Sequence, residues 1–212
     1  MNEAKAKAGK TIYGKRVALI ASEFIKPRKA RVNGNRLENP GFEASLKVDG
    51  WRLLNPKAFP ARLKIATIPG VMPHSGKNCL LVVPEISQNN RHRTLIANSN
   101  PISMKDGEKI KYSLWVKGSL ERENVNPYVA IVFYRYNKDG KYLGGQWTTV
   151  YLRKFNGQWQ KIEGVAVIRN RSKNEPLLRG TGNLAVDSVV FTVDVMGKGQ
   201  IYIDDAKAVP ER

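Results

Sequence analysis

Asn35-Arg36-Leu37-Glu38-Asn39-Pro40-Gly41-Phe42-Glu43 is the stretch on which the reading of the chain turns. Asn39-Pro40-Gly41 is turn chemistry: proline fixes φ and has no N–H, and glycine admits φ > 0. Leu37 and Phe42 are apolar anchors on either side, and Glu43 places a carboxylate beside the turn. The stretch reads as the opening strand signature of a β-domain. Ahead of it, residues 1–33 form a basic arm with nine Lys and Arg against Glu3 and Glu23.

Downstream, short apolar runs are punctuated by Pro, Gly, Asn and Asp turns such as Lys105-Asp106-Gly107 and Lys138-Asp139-Gly140. They predict strands over Arg62–Ile68, Asn78–Pro84, Thr94–Asn98, Lys109–Lys117, Tyr128–Tyr136, Gln146–Leu152, Gln158–Val167, Ala185–Val195 and Gln200–Ala206. A polar loop, Asn170–Asn183, separates the last two from the rest. No stretch carries sustained helical periodicity. Many short strands at this spacing predict an all-β, two-sheet sandwich or jelly roll with an N-terminal arm.

Five motifs carry a resemblance. They are Leu37 to Glu43, Gly50-Trp51, the Ser75-Gly76-Lys77 turn before an apolar strand, Tyr112 to Lys117, and the closing Ile201-Tyr202-Ile203-Asp204-Asp205. In this order they resemble the β-jelly-roll, galactose-binding-like carbohydrate-binding modules attached to glycoside hydrolases. The resemblance divides the chain into an arm, 1–33, and a jelly roll, 34–212. It also implies a structural calcium, held by the Glu43 and Asp204 side chains with backbone oxygens near Gly41 and Lys77. Calcium takes hard oxygen ligands of this kind and would tie the first segment to the last. The alternative is that Glu43 and Asp204 pair with Lys or Arg and cap turns.

Strand alternation sorts the aromatics. Ile110, Tyr112, Leu114 and Val116 form a core face, as do Val129, Ile131 and Phe133. Off those faces lie Trp115, Tyr134, Tyr136, Trp147 and Tyr151, the candidates for stacking on sugar rings on one open sheet face. The competing reading is that the arm, a loop or a partner covers this face, because bare aromatic surface is a liability. Trp51 and Trp159 read as packing residues.

Catalysis finds no constellation. The two histidines, His74 and His92, lack neighbours at metal-ligand spacing, and the flanking Arg91 and Arg93 should oppose protonation of His92. Gly9-Lys10-Thr11 lacks the glycine five residues earlier that a phosphate loop requires. Cys79, the sole cysteine, sits in an apolar run and reads as a buried, inert thiol. The chain reads as non-enzymatic.

The net charge of +18 predicts attraction to polyanions. The longest apolar run near the start, Val17–Ala21, is too short for a signal peptide or a membrane span. Location in a virion or cytoplasmic assembly is therefore expected, or outside the cell if a signal precedes this numbering. The first functional reading is a structural or adhesion component of an assembled particle, such as phage virion decoration, head or tail. It would dock to neighbouring chains through Lys15, Arg16, Val17, Leu19, Arg28 and Lys29, by adding a strand to an exposed sheet edge. The alternative is a carbohydrate-binding module for acidic polysaccharides. Nucleic-acid binding, supported by charge alone, ranks third.

Overall fold

The computed structural model describes residues 34–44, 48–67, 70–123, 125–170 and 185–211. The arm, with its partner-binding candidates, and most of the Asn170–Asn183 loop lie outside them. Eleven strands run in order: β1 Trp51–Leu53, β2 Ala61–Thr67, β3 Asn78–Pro84, β4 Arg93–Asn98, β5 Ile102–Ser103, β6 Lys109–Glu121, β7 Tyr128–Tyr136, β8 Tyr142–Leu152, β9 Gln160–Val167, β10 Ser188–Met196 and β11 Lys198–Glu211. All nine predicted strands are present, Asn78–Pro84 and Tyr128–Tyr136 with the predicted bounds and the other seven with shifted ends, and no α-helix occurs among the described residues. The short β1 and β5 carry too few residues to show a period of two.

Two antiparallel sheets face each other. One has the order β1-β4-β10-β7-β8, with β5 also paired to β10, and the other has the order β2-β3-β11-β6-β9. The core between them follows the predicted alternation: Ile110, Leu114, Val116, Val129, Ile131 and Phe133 are wholly buried. Cys79 is buried too, and burial pushes its thiol up to about 12, so it stays protonated and inert. β10 passes into β11 across Gly197 alone, at φ 128°, where a Cβ would sit 2.8 Å from the Pro127 ring. That glycine lets the chain change sheets without a loop.

The opening stretch is not a strand. It is a strap that crosses the end of the sandwich and joins both sheets. Arg36 N donates to Ala208 O at 3.0 Å and Ala206 N donates to Pro40 O at 3.0 Å, which fixes it to β11. Asn98 in β4 accepts from Glu38 N and donates to Glu38 O, at 3.0 and 2.8 Å. Leu37 and Phe42 plug the core at 1% and 0% exposure, and Trp51 Nε1 donates to Asn39 O at 3.1 Å. The residues with positive φ are Asn39 (42°) and Phe42 (58°), not Gly41. Gly41 needs neither a positive φ nor special room: a Cβ there would meet Asp205 Oδ1 at 3.4 Å, an ordinary contact. A bulky residue in the left-handed region costs free energy, which the burial of Phe42 offsets.

Candidate functional site

The outer face of the first sheet carries the aromatics. By register, Arg93 and Leu95 of β4, Val190 and Asp194 of β10, Tyr128 and Tyr134 of β7, and Trp147 of β8 point to this side. β8 bulges between Trp147, opposite Val132, and Tyr151, opposite Ala130, and both rings stay on the same side.

The two ends of this face differ. At one end the segment after β1 folds over the sheet: Leu54 N donates to Leu95 O at 2.8 Å, and Thr94 Oγ1 donates to Phe59 O at 3.2 Å. Leu54, Leu95, Ala97, Tyr136 and Val190 form a second apolar cluster there, with Phe59, Tyr134 and Tyr142 against it. Tyr136 is only 3% exposed, and burial pushes the hydroxyls of Tyr134 and Tyr136 well above their ordinary values. Tyr136 is therefore covered, and by a loop, while Tyr134 beside it is half-buried.

At the other end the face is open. Trp147 and Tyr151 are 42% and 36% exposed. Their rings lie 24° from parallel with centroids 6.2 Å apart, and Tyr128 meets both edge-on at 6.1 and 6.2 Å. Beneath them is an ion pair: Arg93 donates from Nη2 and Nε to the fully buried Asp194, at 2.6 and 3.1 Å. Burial raises the Asp194 carboxyl, while the Arg93 guanidinium and the Tyr128 hydroxyl pull it back. Burial also raises Tyr128, to about 12. The Arg93 guanidinium lies 5.9 Å from the Trp147 ring centre, and Arg153 lies 5.5 Å from that of Tyr151. Strand alternation signals Tyr128, but the pairing of Arg93 with Asp194, 101 positions apart, has no local signal.

Trp115 is not on this face. It lies on the outer side of the second sheet, opposite Lys161 and Asp204 in the ladders. His74 stacks on it at 3.7 Å, Lys161 lies 5.9 Å from its ring, and Trp159 packs edge-on against His74. The five aromatic candidates thus fall into an open pair, Trp147 and Tyr151, the half-buried Tyr134 beside the buried Tyr136, and one residue on the far sheet.

The side chains of Glu43 and Asp204, proposed as calcium ligands, both turn to the 74–78 segment. Glu43 Oε1 accepts from Lys77 N and Asn78 N, both at 2.9 Å, and Asp204 Oδ2 accepts from His74 N and Ser75 N at 3.0 and 3.1 Å. A Cβ on Gly41 would lie 3.9 Å from Asp204 Oδ1 and 4.0 Å from Glu43 Cγ. The donor set has the hard-oxygen chemistry calcium requires. Its aim is different: these carboxylate oxygens face N–H groups, and among the described residues no three His, Cys, Asp or Glu side chains are grouped as a metal centre. Glu43 and Asp204 are each held to the 74–78 turn by carboxylate–amide bonds. Asp204 is buried and its carboxyl is pushed up to about 6, by burial and the charge of Asp205 against three backbone N–H bonds.

His92 is not a free surface histidine. Its backbone N donates to Glu123 Oε2 at 3.1 Å and its Nδ1 lies 2.7 Å from Glu123 Oε1. His74 Nδ1 and Ser75 Oγ both turn to Asp205, at 2.7 and 2.8 Å. A histidine that shares the carboxylate with the serine is not placed to deprotonate it. No helix among the described residues is long and apolar enough to cross a membrane.

The fold is that of the carbohydrate-binding-module β-sandwiches. The structure of TmCBM61 in complex with β-1,4-galactotriose is similar with a TM-score of 0.51 and 19% identity, over 84% of this chain and 99% of that one. The C-terminal family 22 carbohydrate-binding module of Clostridium thermocellum Xyn10B gives 0.52 and 16%, over 85% and 96%. The enzymatically active domain of bacteriophage CBA120 tailspike protein 4 gives 0.54 and 10%, over 84% of this chain and only 22% of that one. At these identities the likeness is one of fold. No protein-family model and no curated protein matches the sequence.

Proposed function

We propose that this chain is a non-catalytic carbohydrate-binding module that takes a glycan on the open end of its first sheet. The observation that carries this reading is the exposed, near-parallel pair Trp147 and Tyr151, edged by Tyr128 and backed by the Arg93–Asp194 ion pair. Flat exposed rings offer an apolar surface to the C–H face of a sugar, and a rigid ion pair beneath fixes their orientation. The likeness to modules whose structures contain or are named for sugars supports it at the level of fold. The particle-component reading ranks second: its structural support is a fold likeness to a fifth of a phage tailspike, and its arm lies outside the described residues. Calcium at the Glu43–Asp204 joint remains a separate proposal about stability.

A glycan array tests the reading. Wild-type protein should bind at least one glycan class. Trp147→Ala should lose that binding tenfold or more, while Trp115→Ala should retain it. Binding that survives Trp147→Ala would remove the site from this face.

A further inference from the structure

Each ring of the open pair carries a guanidinium, and the two guanidiniums are not equivalent. Arg93, beside Trp147, is held by the buried Asp194 and its charge is balanced. Arg153, beside Tyr151, is exposed and makes no salt bridge to a described carboxylate. A guanidinium resting on an aromatic ring is partly ordered in advance, and its N–H edge presents the planar fork that matches a carboxylate. A sugar stacked on Trp147 and Tyr151 would bring its ring substituents to this fork. A neutral sugar could offer it hydroxyls alone, whereas a uronic acid would offer a charge-assisted, two-point contact.

We propose that the open aromatic face selects acidic glycans, and that Arg153 determines this specificity by receiving a uronate carboxylate. The proposal rests on the glycan-binding reading above and names its ligand class. It also gives the chain's excess of positive charge a local use, distinct from general attraction to polyanions.

The test uses the full chain and trimers of galacturonate, mannuronate and guluronate, each as the free acid and as its methyl ester, measured by titration calorimetry. The ester keeps the sugar and removes the charge. At least one acid should bind ten times more tightly than its ester. Arg153→Gln should abolish that preference while leaving the weak binding of the ester in place. Arg153→Lys should restore only part of it, because an ammonium cannot make the two-point contact. Lys105→Gln, a distant exposed change of the same net charge, should leave the preference intact. Equal binding of acids and esters, no binding of any acid, or a preference that survives Arg153→Gln would overturn the proposal. Loss of both forms in Trp147→Ala keeps the aromatic face as the site, and binding of both unaltered by Trp147→Ala overturns that underlying reading instead.

Discussion

At the scale of single residues, the joint where Glu43 and Asp204 meet the 74–78 turn is a place where charge and burial conflict. Asp204 is fully buried, with its carboxyl raised from 3.8 to about 6. A carboxyl that holds its proton more tightly when folded makes ionisation unfavourable to the folded state. This group's contribution is therefore neutral below 3.8 and costs stability as pH climbs from there through about 6. Thermal melts across this range should show the wild type losing stability relative to Asp204→Asn as pH rises. Calcium bound at the joint would reverse the sign, because a cation holds the carboxylate ionised. Melts at pH 7 in calcium and in chelator then decide whether the metal is present. The nearness of Gly41 to both Glu43 and Asp204 agrees with what the resemblance implied for these positions. What occupies them was not legible in the sequence, because the number of backbone N–H groups turned toward a carboxylate depends on how a loop closes over it.

At the scale of elements, period-two alternation was enough to find nine strands and to assign the core faces of β6 and β7 correctly. It could not say which sheet each strand would join. Trp115 and Trp147 both sit off the core face of their strands, yet β6 and β8 belong to opposite sheets, so the two rings end on opposite sides of the molecule. Nor could alternation show that residues 54–60 would pack over the end of the sheet that holds the buried Tyr136, because that cover is made by a connection and not by a strand. The strap at 34–44 was misread for a related reason. Its apolar anchors suggested a strand, but its hydrogen bonds go to both sheets at once, which no strand of either sheet could achieve. Phe42 is the plug that this strap inserts. Phe42→Ala should cost about 3–5 kcal/mol in urea unfolding, the range for emptying a buried aromatic site. Met72→Ala, at a side chain that is 75% exposed, should change stability by no more than about 0.5 kcal/mol.

At the scale of the whole molecule, strap, core and closing strand are tied to one another by hydrogen bonds among the described residues. Deleting residues 1–33 should leave a folded domain with a melting temperature within a few degrees of the full chain. A truncated protein that unfolds or aggregates would mean the arm completes the core. The central claim is that the glycan lies on the open end of the first sheet. Hydroxyl-radical footprinting of the full chain, with and without a saturating glycan taken from the array, tests it most directly. Protection of Trp147 and Tyr151, with Trp115 and Trp159 unchanged, is the result this account predicts. Protection centred on Trp115, or a footprint unaltered by a glycan that demonstrably binds, would contradict it.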